Sequence, residues 1–260
     1  MNISFHKYQG TGNDFVVIDN RTRAFDTLTS EQVQFLCDRR FGVGGDGLML
    51  LNTTAGYDFE MKYYNSDGAE SSMCGNGGRC LVKFAAEMGM KKSNYHFKAI
   101  DGLHEASIED NGWVRLKMNN VTSVTKTHSD HVLDTGSPHY VKIVADVEKM
   151  DVNKEGRAIR NSSAYKKHGI NVNFVEIKDG YIFVRTYERG VENETLSCGT
   201  GVTAAALVCA HNDIGFNHID IKTPGGDLAV EFKKQSAEMF TDIWLCGPAQ
   251  FVFKGEVDIN

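Results

Sequence analysis

The sequence predicts an α+β protein of two similar tandem domains, each a curved, mostly antiparallel sheet or barrel around a central helix. Three observations predict this class: many short runs of β-branched and aromatic residues, two apolar helical runs that each follow a cysteine, and an internal repeat. Cys74 and Cys198 lie 124 positions apart, and the same shift aligns much of the chain without gaps. A match of fixed period and this length indicates a duplicated domain.

The repeat is clearest around the two cysteines. Residues 72–78 read SMCGNGG and residues 196–202 read LSCGTGV. The shift also superimposes identical residues at Gly12 and Gly136, Gly56 and Gly180, Tyr57 and Tyr181, Tyr63 and Tyr187, Glu70 and Glu194, Lys98 and Lys222, and Gly102 and Gly226. A chain of 260 residues can hold two cores of ordinary domain size. We therefore expect a first domain over 1–119, joined by a terminal strand over 250–260, and a second domain over 120–249.

Strands are predicted where residues of high β propensity cluster. They cover 15–19, 47–51, 57–64, 114–118, 173–177, 181–187, 218–222, 228–232, 240–245 and 251–253. The first helix, 28–37, carries apolar residues near i, i+4 and i+7 after a Ser/Thr cap signal. The runs 79–88 and 202–211 are apolar enough to predict one buried helix in each half, starting right after its cysteine. The order strand, helix, strand pair, cysteine turn, helix, strands thus occurs twice.

Charge and hydropathy exclude several classes of partner. The 28 basic and 34 acidic residues give a net charge of −6, so no nucleic-acid surface is expected. The first residues lack a long apolar stretch, and no apolar run approaches the roughly 18 residues that span a bilayer. We therefore expect a cytoplasmic protein that does not bind membranes.

The six cysteines are expected to be reduced thiols, because the chain shows no export signal. Cys37, Cys209 and Cys246 lie among apolar neighbours and are expected to be small buried residues. The usual Cys-X2-Cys and His-X3-His spacings of zinc sites do not occur. No bound metal is expected.

The two cysteine turns are the candidate chemical groups. A thiol just ahead of a helix meets unpaired backbone N–H groups and the positive end of the helix dipole, which favours the thiolate. The glycines after each cysteine let the backbone approach a ligand, so their N–H groups can bind an anion such as a carboxylate. Domains related by a pseudo-twofold axis would bring the turns face to face across a cleft between them. One thiolate could then remove an α-proton while the other thiol protonates the opposite face, which is stereochemical inversion without a cofactor.

At these residues the chain resembles the diaminopimelate epimerase family. The resemblance covers nearly the whole chain, through GTGNDF at 10–15, YNSDG at 64–68, CGNGGRC at 74–80, YERG at 187–190 and SCGTG at 197–201. It implies two similar domains with the active site between them, commonly in a homodimer. It also implies cofactor-independent epimerisation of a small amino-acid substrate, LL-2,6-diaminopimelate, to the meso form in lysine and peptidoglycan precursor biosynthesis.

The resemblance also assigns residues to the site. It makes Cys74 and Cys198 the acid and base, with roles that exchange with the direction of reaction. The reacting carboxylate would be held through backbone N–H groups of Gly75, Asn76, Gly199 and Thr200. The rest of the pocket would be lined by Asn13, Asn65, Asn171, Glu188 and Arg189. An arginine fork suits a second carboxylate, and a glutamate suits an ammonium group.

Two positions depart from the family pattern. Ser137 stands where the family often has Asn, which shortens a contact to the distal end of the substrate, while His139 remains to orient the site. Gly47 stands where some members carry Gln, and it can offer only backbone groups. Both changes concern specificity rather than the thiols.

Three alternatives stay open at the level of sequence. A racemase of the same architecture could act on another amino acid, such as histidine. From different classes, the cysteines could be a redox or sulfur-handling pair, or the fold could be a non-catalytic metabolite binder. The absence of Cys-X-X-Cys counts against a dithiol oxidoreductase, and a binder would not need matched thiols.

Overall fold

The computed structural model describes residues 1–71, 73–127, 130–210 and 213–259. The chain divides into two compact units, unit 1 comprising Met1–Leu116 with Gly247–Asn260, and unit 2 comprising Lys117–Cys246. The two-domain α+β class predicted from the repeat is confirmed. The exact domain limits drawn above, at 119 and 249, stay predictions.

The elements of the chain are numbered in sequence order. The first are β1 Asn2–Gly10, β2 Asn13–Asp19, α1 Ser30–Cys37, β3 Gly47–Asn52, β4 Phe59–Asn65, α2 Gly75–Glu87, β5 Asn94–Ala99, β6 Gly102–Ile108 and β7 Val114–Lys117. They are followed by β8 Val124–Thr127, β9 Asp130–Asp134, β10 Pro138–Ile143, α3 Val152–Arg160, β11 Asn171–Ile177, β12 Ile182–Glu188, β13 Asn193–Thr195, α4 Gly199–Val208, β14 Gly215–Thr223, β15 Gly226–Lys234, β16 Phe240–Gly247 and β17 Gln250–Asp258. No helix within the described ranges is long and apolar enough to cross a membrane.

Unit 1 is a sheet that runs β17–β1–β2–β3–β4–β5–β6–β7. The pairs β2/β3 and β4/β5 are parallel and the others antiparallel. Helix α2 lies against β1, β2, β3, β6 and β17, and nearly all its residues are buried. It is therefore the central helix of this unit, and its first turn is fixed by the surrounding strands.

Unit 2 repeats this arrangement. Its sheet runs β8–β9–β10–β11–β12–β14–β15–β16, with β13 also paired to β12. The pairs β10/β11 and β12/β14 are parallel, as are the corresponding pairs of unit 1. Helix α4 is buried along most of its length and lies against β9, β10, β11, β12, β14 and β15.

Helices α2 and α4 begin earlier than the apolar runs predicted. They start at Gly75 and Gly199. The apolar runs did not include these first turns, because the glycines there add no apolar signal. Glycine is required because the turns pack too closely for larger side chains. A Cβ placed on Gly77 would collide with the end of Met49, and one on Gly201 would collide with the amide of Asn173. Helix α4 ends at Val208 rather than reaching 211, and His211 lies outside the described residues.

Several elements were not predicted, namely helix α3 and strands β1, β5, β6, β8, β9, β10 and β13. Helix α3 reads VNKEGRAIR, which has few apolar residues and contains a glycine, a residue of low helix propensity. That glycine is required by packing, since a Cβ at Gly156 would collide with Tyr187. Strand β1 mixes polar and aromatic residues, and its buried positions become apparent once it pairs with β2 and β17.

Candidate active site

Cys74 is the N-cap residue of α2. Its backbone is extended, with φ −94° and ψ 129°, and its carbonyl accepts from the Gly78 N–H at 2.7 Å. The thiol therefore stands at the helix end where the first N–H groups have no intrahelical acceptor, and where negative charge is stabilised. The residue is half-buried.

Asn13 joins Cys74 to the first turn of α2. Its Oδ1 accepts from the Cys74 thiol at 3.6 Å and from Asn76 Nδ2 at 3.3 Å. Asn13 begins β2, directly after a turn in which Thr11 and Gly12 both have positive φ. Three residues that the sequence assigned to the site are thus brought together within unit 1.

The other side of Asn13 rests on a charged cluster. Asn13 Nδ2 donates to the Asp46 carboxylate at 2.5 Å, and Arg39 bridges Asp46 and Asp14 at 2.8 and 2.5 Å. Lys7 also pairs with Asp14, at 2.7 Å. Burial alone would raise the pKa of Asp14, but the hydrogen bonds from Arg39 and Lys7 and their charges lower it to about 2. The cluster therefore holds the Asp46 carboxylate against the Asn13 amide as a hydrogen-bond acceptor.

Asn65 lies at the end of β4, where its backbone forms the following turn through bonds to Gly68 and Ala69. Gly47 is its partner in the β3/β4 register. A Cβ on Gly47 would lie 2.5 Å from both the Tyr63 ring and the Tyr64 carbonyl. Local packing therefore requires glycine at this departure from the family pattern.

Cys198 is the N-cap residue of α4, in the same role as Cys74. Its φ is −117° and its ψ is 113°, and its carbonyl accepts from the Val202 N–H at 2.9 Å. The side chain is buried, and its sulfur lies 3.5 Å from Thr200 Oγ1. The hydroxyl of Thr200, a residue of the predicted anion-binding turn, thus contacts the Cys198 thiol, the predicted acid/base group.

Thr200 is in turn held by a buried polar pair. His139 Nε2 lies 2.9 Å from Thr200 Oγ1, and His139 Nδ1 lies 3.0 Å from Asn173 Nδ2. His139 and Asn173 are fully buried. Burial, with a smaller effect of the Arg189 charge, lowers the pKa of His139 to about 3, so the imidazole is neutral at physiological pH.

The remaining predicted residues of unit 2 form a second cluster. Asn171 Nδ2 donates to Ser137 Oγ at 2.9 Å, and its Oδ1 accepts from the Arg189 backbone N–H at 2.9 Å. Arg189 Nη2 donates to the same Ser137 oxygen at 3.2 Å. The adjacent Glu188 accepts from the Thr195 hydroxyl at 2.9 Å. Ser137 therefore bridges Asn171 and the exposed Arg189 guanidinium.

Asp46 and Asn173 were not among the site residues predicted from the sequence, and His139 was predicted without a named contact. The repeat contained a signal for all three. The shift of 124 places His139 on Phe15, Asn173 on Met49 and Asp46 on Ile170. At each position a polar residue in one half replaces an apolar residue in the other.

All six cysteines are free thiols. Cys37 and Cys246 are buried as expected, whereas Cys209 is only half-buried. Burial raises the pKa of Cys37, Cys80 and Cys209 to about 12. These three groups stay protonated at physiological pH.

Known sequences match nearly the whole length of the chain. A family model for diaminopimelate epimerase matches residues 5–124 and 131–252. The diaminopimelate epimerase of Flavobacterium psychrophilum is 50% identical over 255 residues, covering 97% of this chain and 99% of that protein. The diaminopimelate epimerase of Chlorobaculum tepidum is 42% identical over 260 residues, covering 96% and 99%.

Solved structures of lower identity share the fold. A Bacillus anthracis phenazine biosynthesis protein of the PhzF family has a TM-score of 0.76 at 15% identity, over 100% of both chains. A hydroxyproline epimerase from Agrobacterium vitis, with bound trans-4-OH-L-proline, has a TM-score of 0.71 at 14% identity, over 98% of this chain and 92% of that one. At such identities the likeness concerns architecture alone.

Proposed function

The chain belongs to the diaminopimelate epimerase family, and on that premise we propose that it epimerises LL-2,6-diaminopimelate to meso-diaminopimelate, with Cys74 and Cys198 as acid and base. It is an amino-acid epimerase, of the isomerase class, whose product serves lysine and peptidoglycan precursor synthesis. One observation carries the assignment of the residues. Each unit sets a cysteine at the N-cap of a buried, glycine-rich helix.

The proposed chemistry is proton transfer by two bases. A thiolate removes the α-proton while the other thiol delivers a proton to the opposite face, so the carbon inverts. Between the two proton transfers, the electron pair of the broken C–H bond is shared between the α-carbon and its carboxylate. The N–H groups at the starts of α2 and α4 would hold that carboxylate and stabilise its growing charge. The residues that supply them are Gly75, Asn76, Gly199 and Thr200. The scheme requires no cofactor.

We assign the distal amino-acid end of the substrate to the second cluster of unit 2, together with Asn13 and Asn65. A guanidinium has five N–H donors. Two donors of the Arg189 side chain bind the Ser137 hydroxyl oxygen and the His168 backbone carbonyl. The exposed fork can therefore bind a carboxylate, while the neighbouring Glu188 suits an ammonium group. Two such charges favour a substrate with a second zwitterionic end over histidine.

Proton exchange in deuterium oxide tests the proposed reaction. Purified protein is expected to convert LL-diaminopimelate to the meso form, with one solvent deuteron at the inverted α-carbon. Nuclear magnetic resonance and chiral chromatography measure label and stereochemistry together. L-Histidine serves as the comparison substrate. Label entering histidine, with diaminopimelate left unchanged, would establish the racemase alternative instead.

We also propose that the protein is a homodimer in which a second copy covers the exposed face of β17. Phe251, Val252 and Phe253 are 45, 51 and 44% exposed. Phe251 packs its ring on Tyr8, and Phe253 packs on Phe5, with centroids 5.7 and 5.8 Å apart. These rings are thus anchored on β1 while still presenting apolar surface, which is typical of an interaction site.

The mass in solution tests the dimer. Phe253→Arg is expected to halve the mass measured by light scattering, because a guanidinium would be buried without a partner. Phe41→Arg is the matched control, since Phe41 is 79% exposed and lies far along the chain from β17. A wild-type protein of monomer mass, or a dimer that survives Phe253→Arg, would contradict the proposal. We place this dimer in the cytoplasm, where six free thiols stay reduced.

A further inference from the structure

We infer that in the free enzyme Cys198 is the thiolate and Cys74 is the thiol. The inference rests on the proposed function, because it assigns starting protonation states to the proposed acid and base. It comes from the direction of hydrogen bonds in two separate networks, one in each unit. In each network, groups that can only donate or only accept fix the direction as far as the residue beside the sulfur, which is Asn13 in unit 1 and Thr200 in unit 2.

In unit 1 the direction is set by opposite charges at the two ends. Arg79 can only donate, and its Nη2 donates to Asn76 Oδ1 at 3.1 Å. The Asn76 amide must then present its NH2 group to Asn13 Oδ1, at 3.3 Å. The Asn13 NH2 group donates to the carboxylate of Asp46, which can only accept. Reversing either amide would break bonds to a charged group.

The atom that faces the Cys74 sulfur is consequently a carbonyl oxygen. Asn13 Oδ1 lies 3.6 Å from that sulfur. This oxygen can accept a hydrogen bond from the S–H group, but it repels the negative charge of a thiolate. A hydrogen bond to the neutral form favours that form, so Asn13 holds Cys74 as the thiol.

In unit 2 the direction is set by the Asn173 amide. Its Nδ2 donates to the Tyr140 backbone carbonyl at 3.1 Å, and its Oδ1 accepts from the Thr186 hydroxyl at 2.9 Å. A flipped amide would place two acceptors together at Tyr140. Nδ2 therefore also donates to His139 Nδ1, so the neutral imidazole must carry its proton on Nε2.

The proton on His139 Nε2 sets the Thr200 hydroxyl. Nε2–H donates to Thr200 Oγ1 at 2.9 Å, which occupies a lone pair of that oxygen. The hydroxyl keeps its own proton, and we orient that proton toward the Cys198 sulfur, 3.5 Å away. A donated hydrogen bond stabilises the charged form of an acid, so Thr200 holds Cys198 as the thiolate.

The internal repeat shows that this difference is built into the two halves. The shift of 124 places Thr200 on Asn76, His139 on Phe15 and Asn173 on Met49. Phe15 and Met49 lie beneath Gly77, while Asn173 lies beneath Gly201 at the equivalent place. Unit 1 thus has apolar side chains where unit 2 has the polar pair that orients Thr200.

Charged groups near each cysteine act through these networks. Within unit 1, the Arg79 guanidinium lies on the same helix as Cys74, and Asp46 lies beyond Asn13. Within unit 2, Arg189 acts on His139, which stays neutral at physiological pH. The side chains of Thr200, His139 and Asn173 are positioning groups in this scheme, because they act on the substrate through Cys198, whereas the Thr200 backbone N–H binds the carboxylate directly.

Proton transfer balances for one turnover. The Cys198 thiolate takes the α-proton and becomes a thiol, while the Cys74 thiol gives up its proton to the opposite face and becomes a thiolate. The enzyme that releases product therefore has the reverse protonation, and it returns to its resting form by exchanging protons with water. The epimer whose α-proton faces Cys198 therefore binds to an enzyme in which the required base is already deprotonated and the required acid is already protonated.

Ultraviolet titration of single variants tests the assignment, because thiolates absorb where thiols do not. Cys74→Ser reports on Cys198, Cys198→Ser reports on Cys74, and the double variant supplies the baseline. The pH at half thiolate is expected to be at least about one unit lower for Cys198, which is a tenfold difference in the ionisation equilibrium. Equal values, or a lower value for Cys74, would overturn the inference.

A hydroxyl variant tests the origin of the difference. In the Cys74→Ser background, Thr200→Val is expected to raise the Cys198 titration by about one pH unit, and Thr200→Ser to restore it. Thr203→Val is the matched control, since its buried hydroxyl on α4 donates to the Gly199 carbonyl instead. Equal shifts in both valine variants would contradict the inference.

Titration needs no substrate, so its outcome is separate from that of the deuterium assay. If the deuterium assay fails and Cys198 still titrates below Cys74, the proposed reaction is rejected and the protonation assignment stands.

Discussion

Cys74→Ser and Cys198→Ser are each expected to lower kcat/KM for epimerisation by about 10³-fold or more. Positioned acid–base groups contribute about 10² to 10⁴-fold, and a serine hydroxyl does not ionise near neutral pH. The meso product is followed by chiral chromatography and α-deuterium by mass spectrometry. Each variant retains one thiol. We therefore expect a low residual activity, in which the α-proton exchanges slowly with solvent on one face and the carbon does not invert.

Cys209→Ser is the control for these variants. Cys209 is the C-cap residue of α4, so it lies on the same helix as Cys198 but at the opposite end. Its activity is expected to stay within about twofold of the wild type. Turnover close to wild type in either active-site variant would refute the two-thiol scheme.

Arg79→Met is expected to lower the free energy of unfolding by about 3 kcal/mol or more. Arg79 is fully buried, and it donates to the Thr11 hydroxyl, the Asn76 amide and the Gly75 carbonyl at 3.1 to 3.4 Å. It also reaches the Pro248 carbonyl at 3.5 Å. Methionine fills a similar volume but leaves these acceptors without a donor, and unpaired buried polar groups are costly.

Denaturant unfolding measures this loss, and two further variants separate its causes. Arg79→Lys retains the charge but not the fork, so it is expected to fall between wild type and Arg79→Met. Lys83→Met changes a half-buried cation on the same helix and is expected to cost less than about 0.5 kcal/mol. Equal stability of Arg79→Met and Lys83→Met would show that the buried network contributes nothing.

The parts of the site that were predicted from sequence are those encoded locally. A cysteine followed by glycines and an apolar run specifies an N-cap thiol and a buried helix with few long-range contacts, and both helices were found. The predicted starts of α2 and α4 were less accurate. Glycines do not contribute to an apolar pattern, and the glycines of these first turns are required by close packing against Met49 and Asn173.

The supporting residues depend on strand register, which the sequence does not encode locally. His139 pairs with Asn171 in the parallel β10/β11 register, which leaves Asn173 two residues further along on the same face. This placement brings the Asn173 amide under His139 and separates the two asparagines into different networks. Asp46 likewise reaches Asn13 through the loop before β3, alongside Arg39.

The pairing of β1 with β17 has a consequence for biosynthesis. The two strands join Asn2 to Asp258 and Gln9 to Gln250, so unit 1 receives an outer strand that is translated after all of unit 2. On the ribosome, unit 2 can complete its hydrogen-bond ladder while unit 1 still has an open edge at β1. The order in which the units mature is therefore expected to reverse their order in the chain, and a nascent chain stalled before β17 leaves the Cys74 half exposed to chaperones.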